Sequence, residues 1–178
     1  RAICERVYGE PDVYNPIYTY DKPETKAIPA ILHHNWGMLL ESLTLCDYEQ
    51  PRIFSMETED RAADTEMMAK LFSACTGQET DFATLTEAGS RIFNVLRAID
   101  VRNHDRSRAV DWAAAKTMTE PALSDGVVLD LERFGPMLDR YYELRGWNPA
   151  NGYPTRVGLE ALGLGDVADG LERAGRLG

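Results

Sequence analysis

The stretch "TLTEAGSRIFNVLRAID", residues 84–100, decides the fold class. Thr84 stands before a periodic apolar run and Glu87 follows three residues later. At that spacing a capping hydroxyl and a carboxylate satisfy each other's backbone donors. Leu85, Ala88, Ile92, Phe93, Leu96 and Ile99 then recur at intervals of three and four, which predicts one core-facing helical stripe. Arg91, Arg97 and Asp100 are predicted to face away from it. A half-buried strand would alternate instead, and no part of the chain does so over more than a few residues.

The same period recurs on both sides of this helix. Upstream, a helix is predicted from Lys26, with Pro29 tolerated in its first turn, along Ile28, Leu32, Trp36, Leu39 and Leu43, widened by Ile31 and Leu40. Cys46 continues that stripe, and Pro51 forbids extension, so the thiol is expected at or just past the helix end. A second helix is predicted from about Asp60 to Ala74, with Met67, Met68, Leu71, Phe72 and Cys75 apolar and Gly77 as its stop. The opening "RAICERVYGE" starts without Met and already in helical register through Ala2, Ile3, Arg6 and Val7. It reads as the end of a helix cut from something longer. Residues 9–25 hold three prolines together with Tyr14, Tyr18 and Tyr20, which predicts an irregular, packed connector.

Downstream, "VRNHDRSR" (101–108) reads as a turn or short helical connection, and "EPALSDGVV" (120–128) as a loop. "LDLERFGPMLDRYYELRGW" (129–147) predicts a helix with Phe134, Leu138, Tyr141 and Tyr142 on one side and Gly146 as its stop. Gly135–Pro136 marks either its start or a bend. Residues 154–175 predict two short helices, the first capped by Thr155 and stopped by Gly163, the second facing the core through Val167, Leu171 and Ala174. The expectation is an all-α, multihelical protein. Residues 1–25 form a helix end and connector, and residues 26–178 one helical domain.

A chain of 178 residues with 44% hydrophobic content can bury a real core. Its formal net charge of −10 argues against nucleic acid, whose phosphates demand clustered Lys and Arg, and against an anionic membrane surface. No apolar run approaches the length of a membrane span, and no signal-peptide pattern opens the chain. Cys4, Cys46 and Cys75 are odd in number and far apart, so reduced thiols in a cytoplasmic protein are expected rather than a disulfide framework.

Most chemistry-bearing residues read as structural. His33 and His34 are adjacent, and helical neighbours point about 100° apart, so the pair is ill-suited to share one metal. His104 has no nucleophile nearby in sequence. "GLGDVADG" (163–170) follows a helix rather than a strand and lacks the phosphate-loop pattern. Met67–Met68 reads as gap-filling core. Cys46 is either a buried, inert thiol or one ligand of a site whose other ligands lie elsewhere.

Three segments carry a resemblance. "ESLTLCDY" (41–48) resembles the late Asp-x-x-Gly-Leu-Cys motif of the tungsten-containing aldehyde ferredoxin oxidoreductase family. "RIFNVLRAIDVR" (91–102) and "LDLERFGPMLDRYYELRGWNPANGYPTRVGLEALGLGDVAD" (129–169) are similar, in order, to that family's C-terminal patterns. The likeness covers most of residues 28–170. It implies a β-rich domain followed by helical domains holding a bis-pterin tungsten or molybdenum centre and a [4Fe–4S] cluster. By this matching Cys46 is the cluster's fourth ligand, and Glu41, Thr44 and Leu45 lie in the cofactor-binding motif. Glu41 stands where the family has Asp, one methylene shorter. Thr44 stands where it has Gly, so easy positive φ is not expected. No catalytic residue is expected within this chain.

The implied activity is oxidation of aldehydes to carboxylic acids, with electrons passed to ferredoxin or another carrier and the missing N-terminal part of the enzyme as a second partner. Taken alone, the 178 residues are expected to be inactive and free of cofactor. The alternatives are reduction of aromatic acyl thioesters by a relative, or a stand-alone helical scaffold with Cys46 in its core.

Overall fold

Several helix starts and stops among the described residues follow local chemistry. The computed structural model describes residues 2–14, 23–46, 48, 53–117, 119 and 128–178. Among them run α1 (Ala2–Tyr8), α2 (Ala27–Leu43), α3 (Met67–Thr76), α4 (Phe82–His104), α5 (Arg108–Lys116), α6 (Leu131–Arg145), α7 (Arg156–Ala161) and α8 (Gly165–Arg173). Short 3-10 turns occupy Pro11–Tyr14 and Pro23–Lys26. The protein is all-α; the described residues hold only isolated bridges, Phe54 with Ala62 and Trp147 with Pro154. Pro16, Tyr18, Tyr20, Asp47, Pro51 and residues 120–127 lie outside the described residues.

The described residues fall into two compact units, 2–14 with 28–93, and 23–27 with 94–178. The first has a core of Val7 from α1, Trp36, Leu39 and Leu40 from α2, Met68 and Ala69 from α3, and Leu85 from α4. Here α4 meets α2 closely: a Cβ on Gly89 would sit 2.4 Å from the Asn35 carbonyl oxygen, so only glycine lets the backbones approach. The expected cap of α4 is corrected. Asp81, not Thr84, caps it, its Oδ1 accepting from Thr84 N–H at 2.8 Å, and Phe82 N–H donates to Glu66 Oε2 at 2.9 Å. Thr84 lies inside the helix.

The helix expected from Asp60 starts instead at Met67. Two side chains explain the delay: Asp60 accepts from Ala62 N–H at 3.1 Å and Asp64 from Glu66 N–H at 3.0 Å. Such aspartate turns hold the backbone out of the helix. Gly77, with φ 73°, ends α3 as expected. Met67, Leu71 and Cys75, expected in the core, are exposed, because Met68 and Ala69 on the adjacent row make the buried contacts.

The second unit packs Ala98 and Val101 of α4 against Leu159, Ala168 and Leu171. Thr155 caps α7, its hydroxyl accepting from Gly158 N–H at 3.0 Å, and Asp130 caps α6 ahead of Pro136, which lies inside that helix. Gly146, with φ 71°, ends α6. Leu138 and Tyr142 are buried as their spacing predicts, whereas Ala174 lies just beyond α8 and is exposed. The nine-residue helix α5 did not emerge from the sequence.

The face of α4 is the main difference. Ile92, Leu96 and Ile99 are exposed, while Leu85, Gly89, Arg97 and Val101 lie buried on one row at four-residue steps, with the half-buried Phe93 between Gly89 and Arg97. Along its second half the true face is turned by about one residue, about 100°. Arg97 is only 4% exposed. Its guanidinium donates to Asp111 Oδ2 at 2.8 Å and to the Gly152 carbonyl at 2.9 Å, and lies 4.5 Å from the centre of the Trp147 ring. Tyr142 donates to the same Asp111 oxygen at 2.6 Å, and Trp147 donates to Asn94 at 2.6 Å. A charge can occupy a core row when every donor has a partner.

Candidate functional site

Cys46 is brought to its position by the way α2 ends. Its last residues form a left-handed cap: Leu45 N–H donates to the Leu40 carbonyl at 3.0 Å and Thr44 N–H to the Glu41 carbonyl at 3.4 Å. These are the paired bonds of a Schellman motif, which needs a positive φ at its turning residue. Thr44 supplies it, with φ 55°. The expectation that threonine would forbid this geometry is therefore corrected: the glycine-type turn persists with a branched residue in it. The hydrophobic contact that accompanies such caps is also present, because Leu45 packs against the cluster containing Leu40.

The consequence is directional. Leu45 is held by the core, so the next residue is carried off the apolar stripe of α2, and Cys46 is exposed. The helix ends at Leu43 through this cap, ahead of Pro51. Glu41 and Thr44 are exposed as well, Leu45 is half-buried, and all four motif residues fall within one turn and its exit. Among the described residues no group of three or more His, Cys, Asp or Glu side chains is arranged to hold a metal ion. Cys4 is half-buried on α1 and Cys75 exposed at the end of α3.

His33 and His34 have structural partners. His34 stacks on Phe93 with ring centres 4.9 Å apart, and His33 meets Tyr8 and Trp36. In the second unit, burial alone would raise the Asp111 carboxyl, but hydrogen bonds from Arg97 and Tyr142 and the charge of Arg97 outweigh it and hold it below the usual carboxylate range. That network was missed in the sequence. The available signal was an Arg97 at four-residue spacing from Val101, with an aromatic-rich helix to receive it.

The fold defines the class, an all-helical protein. The chain belongs to the aldehyde ferredoxin oxidoreductase family: the family model described as "Aldehyde ferredoxin oxidoreductase, domains 2 & 3" matches residues 5–164. Its fold is similar to that of a chain in the active site complex BamBC of benzoyl coenzyme A reductase in complex with 1,5-dienoyl-CoA. That match has a TM-score of 0.65 and 20% sequence identity, and covers 90% of this chain and 22% of that one. The chain thus spans about a fifth of the length of that structural relative.

Proposed function

We propose that this chain is the helical part of a tungsten- or molybdenum-pterin, iron–sulfur oxidoreductase, with Cys46 as one thiolate ligand of a [4Fe–4S] cluster. The observation that carries the reading is an exposed cysteine that leaves the core through a cap whose turning residue, Thr44, adopts the positive φ that glycine favours. The residues present fit one corner of such a cluster: a thiol on an exposed turn, anchored by Leu45 in the core. The remaining thiolates then come from other residues of a longer protein, since cluster ligands are drawn from separated segments. When bound, the cluster supplies one-electron transfer. The chain's own part is to hold the thiolate, to fix its direction through the cap, and to offer the Glu41 carboxylate as an acceptor towards a pterin.

The words of the family description support aldehyde oxidation with ferredoxin or another carrier as electron acceptor, and the same reading takes a cytoplasmic setting and an N-terminal domain as partner. A second reading, reduction of an aromatic acyl thioester, draws on the benzoyl-CoA reductase neighbour. Among the described residues no helix is long and apolar enough to cross a membrane.

The test is Cys46→Ala in the full-length protein, purified without oxygen, with iron and acid-labile sulfide measured per chain. Loss of cluster iron and of substrate-dependent dye reduction, with helical content retained, is the expected result. A variant that keeps its full iron content and activity overturns the ligand assignment. Assaying aldehydes and acyl-CoA thioesters in parallel distinguishes the two substrate readings. The 178 residues alone are expected to be colourless and inactive, and a stoichiometric iron signal from them would contradict this.

A further inference from the structure

One face of α5 borders a cavity of about 410 Å³, lined by Arg108, Ala109, Trp112, Ala113, Lys116 and Ala150. That volume lies in the range of small-molecule sites. All six residues belong to the unit formed by residues 23–27 and 94–178, and none lies in the motif 41–46. The chain carries a formal net charge of −10, yet among the described residues no carboxylate lines this cavity.

Its two basic groups are not equivalent. Arg108 is already neutralised, by an ion pair to Asp139 at 2.6 Å and a hydrogen bond to the Pro149 carbonyl at 3.0 Å. Lys116 is exposed, and its ammonium has no ion pair or hydrogen bond among the described residues. Elsewhere in this unit carboxylates crowd the cations: Arg156 alone meets Glu160, Asp169 and Glu172. Trp112 stands one helical turn before Lys116, about 5–6 Å away between Cβ atoms. Residues of α6 hold its indole, with the Phe134 ring centre 5.7 Å away and the ring edge 3.8 Å from where a Cβ on Gly135 would stand. Its Nε1–H donates to no group among the described residues and is not sealed from solvent. The other two indoles differ: Trp147 donates to Asn94, and Trp36 is 1% exposed.

An ammonium and an indole N–H can only donate, so a ligand that satisfies both brings acceptors, and the ammonium favours an anion. Ala109, Ala113, Ala150 and the indole add apolar wall. An inorganic anion would leave that wall in water, and a neutral arene would gain nothing from the ammonium. We propose that the α5 cavity binds a small aryl carboxylate. Its oxygens take the Lys116 ammonium and the Trp112 Nε1–H, and its ring lies against the alanines. The proposal goes beyond the cluster reading and does not depend on the Cys46 assignment.

The experiment titrates the isotope-labelled 178-residue chain with 2-naphthoate and follows the indole N–H resonances of its three tryptophans by NMR. Trp112→Phe identifies the Trp112 signal. A saturable shift of that signal is expected, with a Kd on the order of 1 mM, the affinity that ordinary ligand efficiency gives about 13 heavy atoms. The Trp36 and Trp147 signals are expected to stay in place. Lys116→Gln, at an exposed position, is expected to weaken binding by about fivefold, the upper end for one exposed ion pair. Uncharged 2-naphthamide should lose as much against the wild type. No saturable Trp112 shift up to about 10 mM, ten times the expected Kd, overturns the proposal. So does naphthamide binding as well as naphthoate, or a wild-type Kd in Lys116→Gln. An equal shift with inorganic phosphate would refute the aryl part, because the alanine wall would then contribute nothing.

Discussion

Replacing Thr44 by glycine tests the cap that directs Cys46. Thr44 holds φ 55° with an exposed side chain, so the substitution removes strain and little else. A non-glycine residue in the left-handed region costs about 1–2 kcal/mol. Glycine gives back about 0.5–1 kcal/mol through the freedom it adds to the unfolded chain. The net is a stabilisation of about 0.5–1 kcal/mol, or a rise of about 1–4 °C in Tm for a chain of this size. Thr44→Ala is the control, because it deletes the same exposed atoms while keeping the strained φ. Urea unfolding followed by Trp fluorescence, with Trp36 in the unit concerned, measures both. The reasoning fails if Thr44→Gly is no more stable than Thr44→Ala. The Cys46 thiol should react with a disulfide reagent at an unchanged rate in Thr44→Gly, since both cap bonds remain available.

Three further outcomes follow from named contacts. Asp111→Asn leaves Arg97, 4% exposed, without its anionic partner and is expected to cost about 3 kcal/mol by denaturant unfolding. The folded Asp111 carboxyl is held below its unfolded pKa of about 3.9, so its contribution is complete above that value and is lost as pH falls through the folded pKa. Denaturation midpoints between pH 6 and about pH 2 should therefore fall more steeply for the wild type than for Asp111→Asn, and parallel curves would exclude this pair as a source of acid sensitivity. Gly89→Ala forces a methyl to within 2.4 Å of the Asn35 carbonyl oxygen and is expected to destabilise by about 2–3 kcal/mol, read as a lower Tm.

Periodicity sufficed for the existence of most helices because it is a local property. The stripe from Ile28 to Leu43 and the aromatic row from Phe134 to Tyr142 both became helices, and Gly77 and Gly146 ended theirs. Helix faces were harder. Hydrophobic ranking places arginine outside, so the row through Arg97 was read one position round, towards Leu96. The helix α5 escaped because its apolar residues are mostly small alanines, which define no strong stripe. Of the candidate site, the motif residues 41–46 and their family resemblance were in the sequence, but the thiol's exposure was not.

What the amino-acid sequence alone determined was the all-helical class, most helix stops and the family pattern, since each rests on residues within a turn or two of one another. What only the tertiary structure decided was the φ of Thr44, the exposure of Cys46 and the burial of Arg97. Those depend on distant partners. Leu45 can pin the cap only once residues from α1, α3 and α4 have built the core it packs on. Arg97 can be buried only once Asp111 and the carbonyl of Gly152, 55 residues away, have arrived to take its hydrogen bonds.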